Sequence, residues 1–130
     1  MTARRRTCTL ADARARFASG KAFIDIADRL VTEGFDADVA VTNAVHAGIA
    51  ASDALCCLRL GERSSDQDHA SAAVLLARVD KSLAIELTRL LALKTKAAYE
   101  TRRVSGADAK SAVRRAAKLI AAAAAALESA

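Results

Sequence analysis

From Val39 to Leu58 the chain is apolar or small at nearly every position. A helix with such a sequence cannot lie on a surface, because every one of its faces seeks cover; it has to be surrounded by other helices. The rest of the chain is therefore expected to supply a jacket around it. The composition agrees, since hydrophobic residues make up 53% of the 130 and aromatic ones only 3%, with no proline. Alanine, the strongest helix former, dominates, and the β-branched and aromatic runs that build strands are missing. An all-α bundle of four to five helices is expected, as a single domain over 1–130, large enough to bury a core without staples.

Helical periodicity places a first helix over 10–32, with Gly20 weakening its middle as a point of bending and Gly34 as a left-handed cap beyond its end. The second helix covers about 36–60 and stops at Gly61. Ser65 or Asp66 is expected to cap a short third helix over about 67–79, with His69 in its first turn. A fourth helix follows over 80–103. Ser105 and Asp108 have capping-box spacing ahead of a fifth, which ends in the alanine run Ala121–Ala126.

The polar exceptions on the second helix carry most of the information. Asn43, His46, Ser52 and Asp53 each need a partner in the bundle, across an interface or in a ligand, because an unpartnered buried polar group is costly. Positions 43, 46, 50, 53 and 57 share one stripe. His46, alone on an apolar face, reads as a hydrogen-bonded core histidine. Asp53 is nearest the Gly61 end, and once the chain turns back it comes within reach of Arg63 or His69. Two arrangements stay open. Asp53 can orient the imidazole and stay ionised beside it, or it can hold Arg63 in an internal salt bridge while His69 caps or packs against a helix.

Cys8, Cys56 and Cys57 are an odd number without metal-ligand spacing, and adjacent helical residues point about 100° apart. They read as small buried apolar residues in a reducing compartment, from which a cytoplasmic location is expected. No metal and no cofactor is expected. The basic stretch Arg4-Arg5-Arg6 looks like the front of a signal peptide, but Asp12, Arg14 and Arg16 interrupt the apolar core that should follow. No transmembrane span is expected. The formal charge is +5, and residues 66–130 hold eleven Lys/Arg against seven Asp/Glu. That excess, with Lys94, Lys96, Arg102 and Arg103 as candidate nucleic-acid contacts, permits a polyanionic partner.

The order of elements carries a resemblance. The small-residue helix Ala44–Leu55 leads to Gly61, a loop, and Asp68-His69-Ala70 opening a new helix; Leu90–Glu100, with its Ala-Ala-Tyr-Glu segment, and an alanine-rich last helix follow. Over about 36–128 this resembles the HEPN (higher eukaryotes and prokaryotes nucleotide-binding) family. The resemblance implies an up-and-down bundle that pairs as a homodimer through its second and third helices. It also implies an Arg-x4–6-His motif, which Arg63 and His69 match as Arg-x5-His. Members carrying that motif act as metal-independent endoribonucleases in toxin–antitoxin or defence systems. There the histidine works as general acid and base, the arginine steadies charge on the phosphate, and a 2′,3′-cyclic phosphate is left. On this resemblance Arg63 and His69 are the expected catalytic pair, with Asp53, Asn43 and His46 in support, RNA as substrate and an antitoxin as a protein partner. Other members are non-catalytic modules that bind a nucleotide, a nucleic acid or a protein, and that is the alternative expectation.

Overall fold

The computed structural model describes residues 4–65, 69–99 and 104–130, and of 96–99 the backbone alone. Leu10–Thr32 form helix α1 and Ala37–Leu60 form α2. Asp36 caps α2 by accepting the backbone N–H groups of Asp38 and Val39. The turn between the two helices uses Gly34 at φ +75°. Fifteen of the 24 residues of α2 are buried, and it packs against α1, against α4 (Lys81–Tyr99) and against α5 (Gly106–Glu128). The expected jacketed helix is thus present, in an all-α bundle.

By length and composition alone α2 is apolar enough to cross a membrane, a test that a buried core helix also meets, and the other helices cover 78% of its most apolar window. The core is built on that cover. Leu87, Leu90 and Leu119 are fully buried around it, each contributing about 1.5–3 kcal/mol of apolar burial. Two glycines set the spacing. A side chain at Gly48 would meet Leu90 and Leu119, and one at Gly20 would meet Ile120 and the Ala50 methyl. Gly20 therefore marks a close helix crossing, and α1 runs through it unbroken.

The short helix α3 (Ala70–Leu76) departs most from expectation. Its N-cap position is held by His69, whose side chain makes no capping hydrogen bond, so Ser65 does not fill that role; Asp66 lies outside the described residues. The far end stops early because Asp80 begins α4, its carboxylate accepting the Leu83 N–H at 3.0 Å. Between them Arg78 and Val79 make tight i→i+3 turns onto Leu75 and Leu76. Beyond α4, Ser105 and Asp108 form the expected capping box for α5. The expected end of the fourth helix, 100–103, lies outside the described residues.

No strand was expected, yet β1 (Arg5–Thr7) pairs antiparallel with β2 (Glu62–Ser64), with Arg6 opposite Arg63. Neither segment has strand-forming composition. Their pairing follows from a bridge beside them: Cys8 is disulfide-bonded to Cys57, with Cα atoms 5.5 Å apart. The Cys8 N–H also reaches the Gly61 carbonyl at 3.0 Å. The reading of these two cysteines as unbonded apolar residues is therefore corrected, and with it goes the cysteine argument for a reducing compartment. Only Cys56 is free, and it is buried.

Candidate functional site

Gly61, at φ +72°, ends α2 in a left-handed turn that an L side chain rarely adopts. The chain doubles back as β2, and this delivers Arg63 to the face of α2 that carries Asp53. Arg63 thus sits on a strand instead of in a loop, and several contacts fix that strand. Glu62 pairs with Arg5 at 3.1 Å and with Arg78 at 3.5 Å. The Ser64 and Ser71 hydroxyls bond at 2.7 Å, tying β2 to α3.

Arg63 and His69, singled out from sequence, line one small hollow together with Asp53, Arg16, Ile49, Ser64, Ser65 and Ala72. Its volume is about 190 Å³. His69 is half-buried there. Asp53 is 5% exposed and is the organising anion of the hollow. Its Oδ2 accepts the Arg16 Nε–H at 3.1 Å and lies 4.0 Å from Arg63 Nη1. Burial pushes the Asp53 carboxyl above its usual range, while the two guanidinium groups pull it back down. Of the two contacts thought possible for Asp53, the one with Arg63 is present.

Arg16 was not foreseen. It stands on α1 beside the stripe Ala13, Gly20, Ile24 and Ala27 that α1 buries, and a cation flanking a buried stripe was the available signal. One turn earlier, Asp12 caps α1 with Thr9; the Thr9 backbone N–H and hydroxyl hold its carboxyl below the usual range, with a smaller contribution from Arg63.

The other members of the α2 stripe do not reach the hollow. Asn43 spends its amide on its own helix, donating to the Val39 carbonyl at 2.9 Å. His46 is exposed, not a hydrogen-bonded core residue. Its ring lies 5.2 Å from that of Phe23, because the neighbouring α1 covers only one side of it. Partial burial, then Lys94 and Arg16, hold the His46 imidazole below its ordinary value. Lys94 is thus close enough to His46 to act on it, and it is not among the residues that line the hollow. The Lys96 side chain, Arg102 and Arg103 lie outside the described residues. Cys56 is no nucleophile, since burial and then the Asp53 carboxylate push its thiol up to about 12.

The arrangement suits anions. Among the residues that line the hollow, two guanidinium groups and one carboxylate stand beside an imidazole, in a site partly withdrawn from water. No protein-family model matches the chain, and no curated protein matches it.

Proposed function

We propose that this chain is a HEPN-type, metal-independent endoribonuclease that cuts RNA at the hollow lined by Arg63 and His69. What carries the reading is that these two residues, paired on sequence grounds alone, lie in the wall of one polar hollow with a buried carboxylate beside them. In the reaction, His69 takes the proton of a ribose 2′-OH and the freed oxygen attacks the adjacent phosphorus. The 5′-oxygen leaves, its proton supplied by an imidazolium, and a 2′,3′-cyclic phosphate remains. Arg63 holds the charge that builds on the non-bridging oxygens. Because the nucleophile belongs to the substrate, no metal-generated hydroxide is required.

Pairing with a second copy is part of the proposal. An apolar groove between α3 and α4 supports it, where Val74 is 69% and Ile85 51% exposed. A second reading rests on the Asp53–Arg63 contact, which spends part of the arginine charge internally. On that reading the hollow holds a phosphate group of RNA or of a nucleotide without cutting it.

RNA turnover in EDTA by the wild type, Arg63→Ala and His69→Ala separates these. The nuclease reading expects turnover that both substitutions abolish while the fold stays intact. Turnover kept by either variant overturns it, and salt-sensitive binding without turnover selects the second reading.

A further inference from the structure

We propose that Arg16 is a phosphate-binding residue, which together with Arg63 forms a two-guanidinium clamp, organised by Asp53, for a backbone phosphate of RNA. The inference deepens the nuclease reading and rests on it only for the choice of RNA as the source of the phosphate.

Three observations lead to it. First, Arg16 gives Asp53 only its Nε–H, and among the described residues its terminal Nη groups make no hydrogen bond. Arg63 reaches Asp53 at 4.0 Å, an ion pair beyond hydrogen-bonding distance. A guanidinium carries five N–H donors, so nine donors on two side chains only 33% and 26% exposed are left for something else. Second, among the described residues both guanidinium groups face the one Asp53 carboxylate, and Asp12, held first by Thr9, feels Arg63 only as a lesser influence; an anion set between the two arginines would therefore be attracted by both. Third, the hollow is about 190 Å³, below the roughly 300 Å³ at which pockets begin to enclose whole small ligands. It fits a phosphate and its sugar edge, not an enclosed nucleobase. Paired guanidinium forks recognise such oxygens bidentately, so the clamp should read the backbone and ignore base sequence.

The competing account makes Arg16 nothing more than the counter-charge of Asp53. The two are separated by titrating the full-length chain with a 2′-O-methyl oligoribonucleotide, which cannot be cut because its nucleophile is blocked. The clamp expects Arg16→Gln to weaken binding about tenfold or more and to lower the dependence of log K on log salt by about 0.7, one phosphate contact on a single strand. Arg16→Lys should recover the salt slope but not the affinity, since the fork is lost. In Arg16→Gln/Asp53→Asn the buried pair is removed as a unit, which keeps the test open where Arg16→Gln alone does not fold. The clamp expects that double variant to bind weakly; wild-type affinity in it overturns the proposal. Inorganic phosphate should compete with the oligonucleotide for the wild type, and failure to compete overturns the proposal as well. Binding that depends on Arg16 in a protein that never cuts RNA supports the clamp while refuting the nuclease, so the two fail separately.

Discussion

The Asp53 carboxylate receives the Arg16 Nε–H at 3.1 Å across 37 residues of sequence. That contact ties α1 to α2 at the level of the hollow, and its energetics are unusual. Asp53 keeps a carboxyl raised above its ordinary 3.8 although two arginines face it, so desolvation outweighs the ion pairs. A carboxyl whose folded value is raised stabilises the fold below its unfolded value and loses that contribution as pH rises through the folded value. Asp53→Asn should therefore match the wild type in stability below pH 3.8. Above the folded value it should gain on the wild type, by about 1.4 kcal/mol for each unit of upward shift. Urea unfolding of both proteins across pH checks this; a variant that becomes less stable than wild type as pH rises contradicts it.

The disulfide should contribute substantially to stability. Cys8 and Cys57 are 49 residues apart, and closing a loop of that size in the unfolded chain is worth about 2–4 kcal/mol. Replacing both by serine should lower the denaturation midpoint accordingly, and a reductant should do the same to the wild type. Because the bridge sits beside the β1–β2 ribbon that fixes Arg63, the double variant should also bind RNA less tightly.

His46 gives a second pH signature of opposite sign. Its imidazole is held below 6.5, by partial burial first and then by Lys94 and Arg16. A lowered base favours the fold above its unfolded value, so stability should fall as pH drops from 6.5 through the folded value. His46→Gln should flatten the melting curve against pH in that window, and an unchanged slope would rule out His46 as its source.

Close packing at Gly48 should tolerate no β-branched side chain. Leu90, Leu119 and Leu87 line the space a Cβ would enter, and the first two of these, like Leu87, are fully buried. Gly48→Val should cost about 1–3 kcal/mol or more. A smaller loss, measured by calorimetry, would show that these leucines can move aside.

Much of this was legible in the chain and some was not, for identifiable reasons. The bounds of α1, the end of α2 at Gly61 and the Ser105–Asp108 cap follow from local chemistry, and the structure has them where they were expected. The ribbon had no local signal: Arg5–Thr7 and Glu62–Ser64 are brought together by an adjoining bridge between residues 49 apart in sequence, and pairing by proximity leaves no trace in either segment. Arg16 left only a weak trace, a cation flanking the buried stripe of α1, since its partner is on another helix. His46 was misplaced because a stripe on a helix says which residues share a face, but not how far a neighbouring helix covers that face. The joining of Arg63 to Asp53 lay between these cases, allowed by spacing and settled by the turn at Gly61.

The most direct measurement uses an oligonucleotide with a single ribose among 2′-deoxynucleotides, incubated with the protein in EDTA. One cut is expected, 3′ to that ribose, leaving a 2′,3′-cyclic phosphate on one fragment and a 5′-hydroxyl on the other, and no cut with His69→Ala. Cutting at deoxynucleotides, ends bearing a 5′-phosphate, or the same cut by His69→Ala would contradict it.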